Sequence, residues 1–183
     1  KHILLRSRPQ GRLLITSILK VALMSKKSIE KTNVMRILDQ RGIKYQSYSY
    51  ADTDAINGLD VANALNQNPS QVFKTLVTVG ASKKHYVFLV PVASELNLKN
   101  AARAVSEKSI EMLKMKDLFA LTGYIHGGCS PIGMKKQFKT IIDGSAQNFE
   151  TIIFSAGKIG YQVELRLDDL RKAIDFELKD IKD

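Results

Sequence analysis

Lys74 interrupts an apolar run, Val72-Phe73-Lys74-Thr75-Leu76-Val77. In extended backbone, alternate side chains face opposite ways. Lys74 then shares a face with Val72 and Leu76, while Phe73, Thr75 and Val77 face the other way. An ammonium so placed either guards an edge strand or is directed into a pocket. In a pocket it could bind an anion, polarise a carbonyl or act with a shifted pKa. A second candidate is the loop Gly127-Gly128-Cys129-Ser130-Pro131-Ile132-Gly133. Its three glycines allow close backbone approach or positive φ, and Pro131 stiffens the middle. Such a loop can present N–H groups to a carbonyl or phosphate oxygen, and the Lys135-Lys136 pair after it suits a phosphate. The competing reading is a structural turn followed by two solvated lysines. Tyr50 ends a tyrosine-rich stretch and could stack on a base or sugar; half-buried packing is its plainer role.

Conventional catalytic signatures are missing. The chain has no G-x-G-x-x-G, Walker loop, H-E-x-x-H or C-x-x-C. The stretch Gly128-Cys129-Ser130-Pro131-Ile132 has the outline of a nucleophile elbow, but Ile132 stands where the last glycine belongs. Pro131 also removes the N–H that would complete an oxyanion hole. Cys129 with His126 could form a thiolate pair, against the alternative of a small, packed apolar residue. A single cysteine excludes an intramolecular disulfide and a multi-cysteine zinc site, and it fits a reducing compartment. His2, His85 and His126 are spaced too widely for a histidine-built metal site.

The elements that must hold these groups follow from periodicity. With Ser28 as N-cap, Val34, Ile37, Leu38 and Arg41 fall on one helical stripe that Gly42 stops. Residues 45–50 alternate as a strand, 51–57 form a polar loop, and 58–65 read as a short helix with Leu59, Ala62 and Leu65 inward. Residues 72–79 and 85–92 form a hairpin around a lysine-tipped loop. Asn97 caps a helix through Ala101, Ala102 and Val105, and 117–121 is a helix closed by Gly123. Strands at 138–142, 151–154 and 161–166 and a helix at 167–174 complete the chain. Strands outnumber helices without regular βαβ alternation, which predicts an α/β fold. Its sheet is mixed, largely antiparallel and barrel-like, surrounded by helices in a single domain.

The chain's 183 residues are 44% hydrophobic and 25% charged, ordinary globular values that exclude disordered, collagen-like and coiled-coil classes. The net charge of +10 points to an anionic partner. Residues 1–23 hold five basic side chains and no acid, and Met24-Ser25-Lys26-Lys27 reads like a protein start. Residues 1–23 are therefore expected to be an extension outside a domain spanning 24–183. Their apolar run is too short to span a bilayer, contains Lys20 and lacks a small-residue cleavage site. A cytoplasmic location without membrane attachment is expected, an organelle transit peptide being the alternative.

Val72-Phe73-Lys74-Thr75-Leu76, Leu96-Asn97-Leu98-Lys99 and the 127–133 loop resemble the YbaK family over residues 32–174. These are aminoacyl-tRNA deacylases related to the editing domain inserted in bacterial prolyl-tRNA synthetases. The resemblance implies an α/β fold with a barrel-like mixed sheet and no metal, cofactor or conventional nucleophile. It puts the essential lysine at Lys74, the neighbouring threonine at Thr75, the loop serine at Ser130 and the pocket tyrosine at Tyr50. Gly127 and Gly128 join them as substrate-binding positions. A glycine frequent in the family's substrate loop aligns with Ser106, and an aromatic or apolar position with Asn57. The branch resembled removes cysteine mischarged onto proline tRNA, Cys-tRNA(Cys) being a further substrate. The substrate's own thiol or the ribose hydroxyl would be the attacking group. The partners implied are the 3′ acceptor end of mischarged tRNA and prolyl-tRNA synthetase. An alanine-editing deacylase and a noncatalytic RNA-binding module are the alternatives.

Overall fold

The structure, a computed structural model, describes residues 30–183. Residues 31–183 form one compact unit. The first helix, α1 (Asn33–Gln40), starts at Thr32, whose Oγ1 accepts from Met35 N at 3.3 Å, and stops before Gly42 at φ +63°. Ser28, the expected cap, lies outside the described residues. Val34, Met35 and Leu38 form the buried stripe. Strand β1 (Gln46–Ser49) leads to α2 (Gly58–Ala64). Asn57 caps α2, its Oδ1 accepting from Leu59 N and Asp60 N at 3.0 Å each. Val61 and Ala62 are the buried pair, and Leu59 is exposed rather than inward. The helix is too short for a full stripe, so its contacts rather than its periodicity decide which side is covered.

The expected hairpin forms. Strands β2 (Phe73–Gly80) and β3 (His85–Pro91) pair antiparallel, with Lys74 opposite Val90 and Val79 opposite His85. Helix α3 (Leu98–Ala104) is capped by Asn97, whose side chain accepts from Asn100 N. A strand absent from the periodicity reading, β4 (Ile110–Met112), pairs with the far end of β2. Helix α4 (Met115–Thr122) closes on Gly123 at φ +83°. After the glycine loop come β5 (Lys139–Asp143), a 3₁₀ turn (Gly144–Asn148), β6 (Ile152–Ser155) and β7 (Tyr161–Leu165). The chain ends with α5 (Leu167–Leu170), shorter than expected, and β8 (Glu177–Lys179), also unforeseen.

The fold is mixed α/β with two sheets among the described residues. One has the order β1-β7-β6, all antiparallel; the other has the order β4-β2-β3-β5-β8, with β3-β5 and β5-β8 parallel. An isolated parallel bridge between Val72 and Ile153 links them. The described strands thus make two sheets and close no barrel. Strand β3 is buried on both faces. Val87 and Leu89 join a core with α1, β6 and β7, while Tyr86, Phe88 and Val90 join a second core with α3 and Ile141. That double burial explains its unbroken apolar sequence.

Candidate functional site

Strand β2 has a gap along its outer edge. The bridge to β6 covers the strand's start at Val72, and β4 pairs from Thr78 onward. A cavity of about 430 Å³ occupies this gap, and all six residues from Val72 to Val77 line it. Residues of both strand faces line it, as fits a cavity set at a strand edge rather than on one face. Its volume lies within the roughly 300–1,000 Å³ of small-molecule clefts. Val61, Val92, Leu113 and Leu118 make much of the wall apolar. Gly58 permits the closest approach there: a Cβ would lie 2.5 Å from Val92 Cγ1.

Lys74 is the one Lys, Arg, Asp or Glu among the described lining residues. Its Nζ sits 2.8 Å from Glu95 Oε1, with side chains 25% and 78% exposed respectively. The two readings of Lys74 meet here, since it lies at an unpaired strand edge and at a pocket. Thr75, beside it, has a buried Oγ1 with no hydrogen-bond partner among the described residues. Tyr50 also lines the cavity, nearly buried, and its N–H donates to Gly160 O at 2.8 Å.

The glycine loop meets the cavity through Gly127, at φ +81°, and Cys129. Gly128 and Ser130 do not line it. A Cβ on Gly128 would lie 3.2 Å from Ile159 N, so this glycine lets the loop pack against the backbone of 158–159. Ser130 is fully buried, and its Oγ accepts from Ile132 N at 3.4 Å, which makes it a turn former. Burial pushes the Cys129 thiol up to about 12, so it remains protonated at neutral pH. A protonated thiol is a poor nucleophile, and the thiolate reading of Cys129 and His126 loses its basis.

Ser106 is not brought to the cavity. It lies just past α3, exposed, at φ +60°, against a different shallow hollow that includes Arg103 and Lys179. A glycine would suit that left-handed backbone, which gives position 106 a reason in chain geometry. Asn57 lines the cavity but is engaged in capping α2. Sequence reading missed Gln162, a buried polar side chain in β7 that lines the cavity and accepts from Gln67 Nε2 at 3.0 Å. Its only signal was a polar residue on the inward register of a strand. A larger hollow of about 570 Å³ between α1 and residues 131–140 and 173–177 contains none of the predicted site residues. Among the described residues, no three His, Cys, Asp or Glu side chains cluster to hold a metal, and no helix is long and apolar enough to cross a membrane.

The profile of the aminoacyl-tRNA editing domain matches residues 55–173. The chain belongs to this family. Most of the cavity wall of this editing domain falls within the match, Tyr50 just before it. A protein of Enterococcus faecalis (strain ATCC 700802 / V583), provisionally named Cys-tRNA(Pro)/Cys-tRNA(Cys) deacylase EbsC, is 48% identical over 141 residues. The alignment covers 76% of this chain and 86% of that protein. A solved structure provisionally described as a trans-editing enzyme for prolyl-tRNA synthetase superposes with TM-score 0.70 at 21% identity. It covers 83% of this editing domain's chain and 98% of its own. The hypothetical protein APE2540 gives TM-score 0.72 at 17% identity, over 82% and 99% of the two chains. These two likenesses establish the fold.

Proposed function

We propose that this editing domain hydrolyses the ester of cysteine mischarged onto proline tRNA, Cys-tRNA(Cys) being a second substrate. The observation that carries the reading is the cavity itself. It combines apolar walls and one ammonium at a strand edge, and its cysteine is held as a neutral thiol. An aminoacyl ester is already activated, so positioning and electrostatics suffice to cleave it. Lys74 stabilises the charge that develops on the carbonyl oxygen or holds an adjacent phosphate, leaving Glu95, which is exposed and free to swing away. The substrate's thiol attacks its own carbonyl carbon and gives up its proton to the departing ribose oxygen. Water then opens the cyclic thioester. The 48% identity to a protein named for this activity supports the substrate class.

The protein partner would be the prolyl-tRNA synthetase whose error is corrected, and the reducing cytoplasm is the expected site. The catalytic unit would lie within 24–183, with residues 1–23 adding only nonspecific attraction to RNA. Rates of ester release from Cys-, Ser-, Ala- and Pro-tRNA at matched concentration test the proposal. Cysteine should be released fastest, because a serine hydroxyl is a weaker nucleophile and alanine supplies none. Equal release of alanine would overturn thiol assistance and favour alanine editing. Release at the buffer rate, with tight tRNA binding, would leave an RNA-binding module.

A further inference from the structure

In an antiparallel strand the N–H and C=O of one residue point to the same side, and successive residues alternate. Four hydrogen bonds establish which residues of β2 face outward. Gln71 O accepts from Ile153 N at 3.0 Å, Val77 O accepts from Leu113 N at 3.0 Å, and Ala81 N donates to Ser109 O at 3.1 Å, all on the side away from β3. Val72 O accepts from Val92 N at 2.7 Å, towards the hairpin partner. Odd-numbered residues therefore turn their main-chain groups outward. The bridge to β6 reaches only Val72, and the contact with the β4 side resumes at Val77. Between them stand the N–H and C=O of Thr75 and the C=O of Phe73. Among the described residues no strand lies opposite them on that side; the cavity does.

Main-chain donors and acceptors in a buried strand are almost always paired. Here the ladder is interrupted over one repeat, at the two residues flanking Lys74, and the same Thr75 also holds an unpartnered buried hydroxyl. We infer that the open edge of β2 at Thr75 is a main-chain subsite for the α-aminoacyl group of the substrate. It would bind that group as a single added strand residue. Thr75 N–H donates to the acyl carbonyl oxygen, and the carbonyl of Phe73 or Thr75 accepts from the α-ammonium. This is β-augmentation reduced to one residue. Such a subsite reads the part common to all amino acids and leaves side-chain discrimination to the apolar walls and Gln162. The inference rests on the deacylase reading and names how that site holds its substrate.

The test is amide hydrogen exchange by NMR on the full chain, with and without 3′-cysteinylamino-3′-deoxyadenosine, the stable amide counterpart of the ester. Exchange at Thr75 N–H should slow at least about tenfold when the analogue saturates, the protection worth one net hydrogen bond. Leu76 N–H, which faces β3, is the internal control and should not change. Perturbed Val61 and Leu118 methyl signals with unchanged Thr75 exchange would overturn the edge subsite while leaving the deacylase reading standing. No perturbation anywhere in the cavity at millimolar analogue would overturn both. Blocking the amine, as N-acetylcysteinyl-tRNA, should lower kcat/KM at least about tenfold if the edge carbonyl holds the ammonium. An undiminished rate would overturn that half of the pairing.

Discussion

Replacing Lys74 separates a catalytic ammonium from a guard on a strand edge, because the two roles predict opposite ratios of lost activity to lost stability. Lys74→Met keeps most of the side-chain volume and removes the charge; Lys74→Ala removes both. The ion pair with Glu95 is 2.8 Å long, but the glutamate is 78% exposed, so it contributes at most about 1 kcal/mol. Lys74→Ala also removes three methylenes that are mostly buried, for a further loss of about 1–2 kcal/mol. A chain of this size shifts by roughly 2–4 °C in Tm per kcal/mol. Lys74→Met should then melt within a few degrees of the parent, and Lys74→Ala somewhat lower, both fully folded at 25 °C. Deacylation should fall at least about 10²-fold in both, the scale for removing one group that stabilises transition-state charge. The assay is single-turnover release of labelled cysteine from Cys-tRNA(Pro), beside thermal melts of the same preparations. A folded Lys74→Met protein with a rate within about threefold of the parent would refute the assignment, since no transition-state contact is lost so cheaply.

Thr75→Val removes a buried hydroxyl that has no partner. Urea unfolding should show a gain of about 1 kcal/mol, while kcat/KM for Cys-tRNA(Pro) falls. Ser106→Gly relieves a left-handed residue at φ +60°. It should raise stability by about 0.5–1 kcal/mol and leave KM unchanged, because position 106 lies outside the cavity. In the folded protein burial pushes the Cys129 thiol from its ordinary 9.0 to about 12. Between those values the folded state holds a proton that the unfolded chain has lost, so stability falls as pH rises through this window. At about pH 10 the thiol accounts for about 1.4 kcal/mol of that loss. Cys129→Ala should therefore show a shallower alkaline decline in urea titrations, with deacylation near the parental rate.

Local signals in the sequence determined the hairpin and its lysine. The alternation from Val72 to Val77, the turn after Gly80 and the doubly apolar β3 leave little other choice of structure. Capping was equally legible at Asn97 and Gly123, because a cap acts within three or four residues of itself. Short elements were not. Strands β4 and β8 have three residues each, too few for periodicity to register, and they exist because β2 and β5 offer them an edge. The motif residues themselves were found by type and order: Lys74, Thr75, Tyr50 and Gly127 do line one cavity. Only the tertiary structure could sort the rest. Gly128 and Ser130 serve the loop's packing, Ser106 is turned to another surface, and Gln162 arrives from a strand nearly ninety residues beyond Lys74. The reason is that a cavity here is a missing partner, a gap between β6 and β4 along one strand. Sequence records what a strand carries, whereas which stretch of its edge stays uncovered depends on where distant segments stop pairing.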